Sequence, residues 1–278
     1  MLLSVIITTK NEAANIGNCL KAFAGREIET IVVDNSSTDD TKAIASSLGA
    51  RVFDTGPERS AQRNLGVKMA SGDWVLVLDA DMILPPETID EILNRTSSSS
   101  GFVSAGRDGV SSPSAAAYWI PEIRTGSGLR VKARNFERSF YNGTAIDALR
   151  LFRREVFLAV GGYDENLIAG PEDWELDIRV LGAGHQCAVL EHHLIHNEKQ
   201  LSFKRMLEKK AYYSKSMATY QAKWPNHPAL KRQFGLYYRF LGVFIEQGKW
   251  KKLLAHPILA AVMYFERFAV GLTYLLNR

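Results

Sequence analysis

The stretch Gly72-Asp-Trp-Val-Leu-Val-Leu-Asp-Ala-Asp81 decides the fold. Its unbroken apolar run reads as a short strand covered on both faces, and the run stops on two aspartates. Side chains alternate along a strand, so carboxylates two apart at its end project to one side. Paired anions at one point repel unless a proton or a cation holds them together. Oxygen donors of this type suit Mg2+ or Mn2+, whose shells are commonly completed by substrate phosphates. An isolated Asp-x-Asp also describes a polar strand-to-loop turn, and the flanking sequence separates the two readings.

Upstream, the same pattern of apolar run followed by polar cluster occurs twice. Leu3–Thr9 reads as a buried strand, and Asn11 then caps a helix over Glu12–Phe23 whose Ile16, Leu20 and Phe23 share a face and which Gly25 ends. Glu29–Val33 is a second strand, and Asp34–Asp39 turns into a second helix. Arg51–Phe53 is a short third strand, and a helix over Arg59–Ala70 ends at Gly72. Strands alternating with helices imply a mostly parallel sheet with helices on both faces, an α/β fold. Ligands in such sheets sit beyond the carboxyl ends of the strands, where Lys10–Glu12, Asp34–Ser37 and Asp79–Asp81 all fall. Downstream, the Ser/Gly-rich segment between Thr96 and Ala117 reads as a loop around one strand at Gly101–Ala105. Arg124–Thr144, with Gly126, Gly128 and Gly143, reads as a mobile loop. Helices are expected at Arg153–Val160 and Glu172–Leu181, one late strand at Cys187–Ile195, and helices throughout from Leu201.

The 278 residues, 46% hydrophobic and 23% charged, exclude a disordered chain and allow one large domain or two small ones. Cys19 and Cys187, far apart and alone, exclude a disulfide scaffold and suit a reducing compartment. Met1–Thr9 lacks the basic start of a secretory leader, so a cytoplasmic protein is expected. No Gly-x-Gly-x-x-Gly or Walker lysine loop follows the first strand, against dinucleotide oxidoreductases and P-loop enzymes. The net charge of +4 conceals a division: residues 199–278 hold 15 Lys/Arg and 3 Asp/Glu, a net of +12. The totals of 34 and 30 leave 19 and 27 for residues 1–198, a net of −8. A catalytic domain over 1–198 and a basic helical extension over 199–278 are expected. The charge split suggests an anionic partner, nucleic acid or a membrane surface, unless the basic residues are only solvated helix faces.

Six segments in order then carry a resemblance. They are Ser4-Val-Ile-Ile-Thr-Thr-Lys-Asn-Glu12, Ile31-Val-Val-Asp-Asn-Ser-Ser-Thr-Asp39, Ala61-Gln-Arg-Asn-Leu-Gly66, the opening stretch, Gly161-Gly-Tyr-Asp-Glu165 and Glu172-Asp-Trp-Glu-Leu-Asp-Ile-Arg179. From residue 3 to about 185 the chain resembles the family 2 glycosyltransferases. The resemblance implies the GT-A fold, a nucleoside-diphosphate sugar donor, a Mn2+ or Mg2+ cofactor and inverting transfer to an acceptor hydroxyl. Thr8, Thr9, Asn11 and Glu12 would form the first nucleotide-binding loop. Asp34 would bond the base, with Asn35 where such families often carry a second Asp. Arg63 would face the diphosphate with its forked donors. Asp79, with Ala80, would reach the ribose or metal, and Asp81 would bind the metal directly. His196, with His193 in reserve, is the candidate third metal ligand. Asp173 resembles the general base and Glu172 a supporting or acceptor-binding residue, although acids also favour a first helical turn for dipole reasons alone. Glu122, Arg124, Glu137, Asp147 and Trp174 are acceptor-side candidates.

In the extension, His256-Pro257 and Glu266-Arg267 interrupt the apolar run that follows Lys251-Lys252, so no stretch reaches the ~20 residues a bilayer span needs. Mixed basic, aromatic and apolar residues suit a helix lying in a membrane interface, peripheral at the inner face of the cell membrane, with a glycan or lipid-linked acceptor and no nucleic acid. Packing on the catalytic domain and a homo-oligomer interface are the alternatives. Competing activities are a sugar nucleotidyltransferase and a non-catalytic anionic-surface binder on a degenerate GT-A fold.

Overall fold

The computed structural model describes residues 2–97, 115–168, 170–197 and 216–276. Strands β1 (Leu3–Thr9), β2 (Glu29–Asp34), β3 (Arg51–Asp54) and β4 (Trp74–Asp79) lie where the apolar runs place them. They pair in parallel in the order β3-β2-β1-β4. Beyond β4 the sheet continues with three strands that carry no clear periodicity, because each is only three to five residues long. A pair of them, β6 (Ala117–Trp119) and β8 (Leu149–Arg153), and then β9 (Cys187–Val189) complete seven strands in the order β3-β2-β1-β4-β8-β6-β9. β8 runs antiparallel to both its neighbours, so the sheet is mixed but mostly parallel.

β1 is buried along its whole length. Helices therefore cover both faces, and successive residues feed two cores. Val5 and Ile7 face α1 (Ile16–Lys21), α2 (Thr41–Ser47) and α4 (Pro86–Ser97) through Cys19, Ala45 and Ile92. Ile6 faces α3 (Arg59–Met69), α6 (Arg154–Ala159) and α7 (Glu172–Gly182) through Val67, Phe157 and Leu176.

The structure corrects three expectations and adds one helix. Asn11 caps no helix: its backbone is left-handed (φ 53°), and α1 begins only at Ile16. Its N–H donates to Ser37 Oγ at 2.7 Å and its carboxamide oxygen accepts from the Thr38 N–H at 2.8 Å. Asn tolerates this conformation, so the residue links two loops instead. Within Arg124–Thr144, α5 (Leu129–Arg138) replaces the expected loop; its Ala133 and Phe136 are buried. The late strand at Cys187–Ile195 is two strands, β9 and β10 (Leu194–His196). The latter belongs to a separate small sheet, β5-β10-β7, with β5 (Met82–Ile83) and β7 (Glu122–Arg124). Helix α4, opened by Pro86 and with Ile89 and Ile92 buried, was not anticipated. The strand expected at Gly101–Ala105 lies outside the described residues.

The basic extension runs through α8 (Met217–Lys223), α9 (Pro228–Phe234), a π-type turn (Tyr238–Gly242), α10 (Val243–Ile245), α11 (Trp250–Ala255) and α12 (Pro257–Leu276). It shares hydrophobic clusters with the first part of the chain. Val243, Phe244 and Met263 pack with Phe136, Phe140 and Ile146, and Tyr220 packs with Leu167 and Ile178. Phe140 and Phe244 meet edge to face at 5.1 Å.

Helix α3 sits close on the sheet because residue 66 has no side chain. A Cβ on Gly66 would lie 2.1 Å from Ile6 Cγ2 and 3.3 Å from Val33 Cγ2. Both neighbours are β-branched strand residues that cannot swing aside. Gly66→Ala gains helix propensity of ~1 kcal/mol, but the forced separation of α3 from β1 outweighs it. A net destabilisation of about 1–2 kcal/mol is expected from a urea denaturation midpoint at unchanged slope.

Candidate active site

In the strand order, β2 and β4 flank β1, so the chain switches sides of the sheet at β1 and leaves a crevice beyond the carboxyl ends there. The register sets Thr8 opposite Asp79 and Thr9 opposite Asp34. Beyond them opens a cavity of about 410 Å³. Thr8, Thr9, Lys10, Glu12 and Asn35 line it on one side, and Asp79, Ala80, Asp81 and His196 on the other. Pro57, Arg59 and Gln62, from α3 and the turn before it, close the third.

Several of these side chains hold the crevice in shape. Thr8 Oγ1 donates to Asp79 Oδ1 at 3.0 Å, and Gln62 Nε2 donates to the carbonyls of Thr9 and Val33 at 3.0 and 2.6 Å. Gln62 thus ties the ends of β1 and β2 to α3. Asn35 donates to the Pro57 carbonyl at 2.6 Å. Glu12 accepts from Asn15 Nδ2 at 2.6 Å. Thr9 Oγ1 is buried and makes no hydrogen bond to protein. A buried hydroxyl in that state at a cavity wall fits a ligand or water partner. Asp34 and Asn11, by contrast, do not line the cavity. Asp34 is fully buried, and its two oxygens accept from the Ser37 N–H and Oγ at 2.6 and 2.5 Å, so it builds the turn after β2.

The largest departure from expectation is Arg63, which does not face the cavity. Its side chain is 1% exposed and lies between β4 and α7. Nη1 donates to Asp173 Oδ1 at 2.8 Å and stands 3.6 Å from Glu172 Oε1; Nη2 donates to Asp79 Oδ1 at 3.2 Å. The guanidinium also lies over the Tyr163 ring, 4.9 Å from its centroid. Arg59, one turn earlier on α3, takes the cavity-lining position. Its guanidinium is 3.2 Å from Glu172 Oε1 and 3.6 Å from Asp79 Oδ2. Two arginines and three carboxylates thus form one cluster. Burial opposes charge on Asp79, but Arg63 and Arg59 outweigh it and hold the carboxyl well below its usual range. Burial and the neighbouring Asp173 push Glu172 up against the pull of the same arginines, and its Oε2 is buried without a partner. Asp79 and Asp173 each keep about a fifth of the side chain exposed, whereas Glu172 keeps 1%.

The other motifs support this cluster. Asn64 donates to the carbonyl of Tyr163 and accepts from its N–H, both at 2.8 Å. Gly162 is left-handed (φ +67°), and a Cβ there would lie 2.6 Å from Asn64 Oδ1. Arg179 bonds Glu175 and the carbonyls of Val160 and Gly162. Asn64, Tyr163, Glu175 and Arg179 therefore fix α7, and with it Asp173, against α3. Sequence spacing had given them no role.

On the opposite wall, the small sheet brings His196 to Asp81. Its Nε2 is 3.1 Å from Asp81 Oδ2 and its Nδ1 2.5 Å from Glu122 Oε1. Burial disfavours the charged ring, but both carboxylates overcome this and raise its pKa to about 9. Glu122 is no acceptor-facing residue: it is buried, orients His196 and bonds Arg138 at 2.5 Å. Burial resists its ionisation, yet Arg138 and His196 hold it below the usual carboxylate range. Asp147 is likewise buried, accepting from the Gly143 N–H at 2.9 Å, and burial raises it. Trp174 packs edge to face on Phe234 at 6.2 Å, and Glu137 bonds Tyr141 and Arg267. Arg124 is exposed and pairs through its backbone with Asn135. His193 does not line the cavity; its carbonyl accepts from Thr88 at 2.7 Å. Among the described residues, no three His, Cys, Asp or Glu side chains are grouped to hold a metal alone. Asp81 and His196 supply two donors on the cavity wall, the number expected where phosphate and water complete the shell.

A switch-point crevice in a mostly parallel sheet, an Asp-x-Asp at its edge and acids at the head of α7 define a GT-A domain. Residues 4–161 match the profile of glycosyl transferase family 2, and the chain belongs to that family. An uncharacterised glycosyltransferase of Rickettsia prowazekii is 44% identical over 92 residues, 32% of this chain, and the match spans 31% of that relative's length. A PGL/p-HBAD biosynthesis glycosyltransferase of Mycobacterium bovis is 28% identical over 191 residues, covering 64% of this chain and 69% of the relative. Among solved structures, the mannosyltransferase PcManGT of Pyrobaculum calidifontis in complex with GDP-Man and Mn2+ superposes with a TM-score of 0.59 at 18% identity. The overlap covers 99% of this chain and 80% of that one. Glucosyl-3-phosphoglycerate synthase of Mycobacterium tuberculosis, in complex with Mn2+, UDP and glucosyl-3-phosphoglycerate, gives 0.51 at 18% identity, covering 80% of this chain and 79% of that one.

Replacing Arg63 by Met is expected to cost about 3–5 kcal/mol at neutral pH, because it takes the cation from Asp173 and leaves Glu172 and Asp79 to Arg59 alone. The arginines depress Asp79 in the folded state, so their contribution is complete above the unfolded carboxylate value of ~3.9. It is lost as pH falls from there toward the depressed folded value. The stability gap between wild type and Arg63→Met, read from urea melts at stepped pH, should therefore narrow below about pH 4.

Proposed function

We propose that this chain is an inverting glycosyltransferase that moves a sugar from a nucleoside-diphosphate donor to a glycan or lipid-linked acceptor hydroxyl. The observation that carries this reading is the Arg63 cluster, which joins Asp173 from α7 to Asp79 at the sheet edge, and Asp79 lines the 410 Å³ cavity. The family membership and the nucleotide-sugar complexes of the structural neighbours support the donor class.

In this reading Thr9, Glu12 and Asn35 contact the nucleoside, and Arg59 and Lys10 meet the diphosphate in the role expected of Arg63. Asp173 is the base rather than Glu172, because a base must reach its acceptor and only Asp173 keeps a fifth of its side chain exposed. Its carboxylate takes the acceptor proton as the acceptor oxygen bonds to the anomeric carbon. The bond from that carbon to the diphosphate breaks in the same displacement, and the nucleoside diphosphate leaves. Arg63 is a positioning residue that fixes the carboxylate's direction. Asp81 and His196 would hold a Mn2+ or Mg2+, which when bound supplies positive charge for the departing diphosphate. Glu122 orients His196 for that role through its other ring nitrogen.

Asp173→Asn is isosteric and keeps an acceptor oxygen for Arg63. It should lower sugar transfer by about 10²–10⁴-fold, the usual worth of a general base, while calorimetric donor affinity stays within about threefold. An equal loss of donor affinity, or undiminished transfer, would contradict the assignment.

A further inference from the structure

Helix α12 carries apolar side chains on both faces: Leu259, Ala260, Met263 and Tyr264 pack on the body of the protein, and a second apolar stripe faces outward. Its outward residues, at spacings of three, four and seven, are Ile258, Ala261, Phe265 and Phe268, with Ala269 beside them. Ile258, Phe265 and Phe268 are 68%, 74% and 70% exposed. Its charged residues turn inward. Glu266 accepts from Arg130 Nε at 2.7 Å and stands 3.5 Å from Arg134 Nε. Arg267 pairs with Glu137, bonds Tyr141 Oη at 2.6 Å and stacks on Phe244. A surface helix in water places its apolar stripe toward the core and its charges outward. Here the apolar stripe toward the core is present, and a second one is given to the medium in place of charges, which pair against the body of the protein.

We infer that the outward face of α12 docks into the interfacial region of an anionic lipid bilayer. Exposed apolar side chains continue before it, at Trp250 (47% exposed) and Leu254 (71% exposed) in α11. Exposed Lys231, Arg232 and Lys251 lie in the same extension, whose residues 216–276 hold eight Lys/Arg and two Asp/Glu. Apolar and aromatic residues that enter the acyl boundary, with basic ones that meet headgroups, make up the interfacial binding pattern. No helix among the described residues is long and apolar enough to cross a membrane, which fits a helix lying in the plane. The same charge disfavours the rival occupant, a second copy, since pairing this face with itself would bring two net-positive segments together. The inference rests on α12 and stands apart from the glycosyl transfer proposed above.

The test is co-sedimentation of the full chain with extruded vesicles of phosphatidylcholine containing about one-third phosphatidylglycerol, and with phosphatidylcholine alone, at low and ~0.5 M salt. Wild type should bind the anionic vesicles at low salt and weaken at least ~10-fold on neutral vesicles or in high salt. Phe265→Ser with Phe268→Ser should lower the partition coefficient ~10-fold or more, because both rings lose their apolar insertion. Lys231→Glu with Lys251→Glu should lower binding to anionic vesicles selectively. All these side chains are exposed, so unchanged melting temperatures confirm that the variants fold, and nucleoside-diphosphate binding in the same preparations reports on the donor site separately. Wild type left in the supernatant, or vesicle binding indifferent to Phe265→Ser with Phe268→Ser, would overturn the inference. A light-scattering dimer that this pair of substitutions dissolves, without vesicle binding, would overturn it in favour of a second copy.

Discussion

One buried guanidinium sets the geometry of the candidate site. Arg63 lies between the carboxyl end of β4 and the first turn of α7, where it bonds Asp79 and Asp173. Without it, three acids from two elements would face one another with Arg59 as their one remaining partner in the cluster. The pairing is costly in desolvation, and it repays that only because the geometry is tight and the carboxylates have further partners. Its effect is positional: Asp79 at the end of β4 and Asp173 at the head of α7 share one guanidinium, so their separation is fixed by its width. The small sheet does the same for the opposite wall, where Glu122 holds one nitrogen of His196 and leaves the other against Asp81.

The support around this pair explains why so many loosely defined motifs occur together. Asn64 follows Arg63 and holds the Tyr163 backbone, while Tyr163 offers its ring to the guanidinium. Arg179, two turns along α7 from Asp173, closes on the glycine turn that precedes the helix. These contacts convert separate sequence segments into one rigid block whose only exposed product is the orientation of a few carboxylates. The basic extension joins the same block through Trp174, Tyr220 and Phe234, so α7 is packed on both sides.

Much of this was legible in the sequence. The strands β1, β2 and β4 announce themselves as apolar runs buried on both faces, and polar residues at their ends mark the crevice. Asp79, Asp81, Glu12 and Asn35, named from their place at strand ends, and His196, named from the family resemblance, do line the cavity. What stayed hidden depends on contacts distant in sequence. Arg63 meets Asp173 across 110 residues, and an arginine on a helix is ordinarily a surface group, so its burial has no local sign. Glu122 and Asp147 looked available to an acceptor because acids in loops usually are. Strands of two or three residues such as β5, β7 and β10 are too short for periodicity, so the sheet that joins Glu122 to His196 could not be read. Helix α5 was masked by the glycines around it, and Asp34 and Asn11 spend their polar atoms on the turn after β2.

The central claim is that the crevice binds a nucleoside diphosphate together with a divalent cation held by Asp81 and His196. Calorimetric titration of uridine and guanosine diphosphates, with and without Mn2+, into wild type and Asp81→Ala measures this directly. Saturable binding of at least one nucleotide to wild type in Mn2+ is expected, weakened ~10-fold or more when the cation is withheld or the Asp81 carboxylate is removed. Absence of binding under every condition, or affinity indifferent to both Mn2+ and Asp81→Ala, would contradict it.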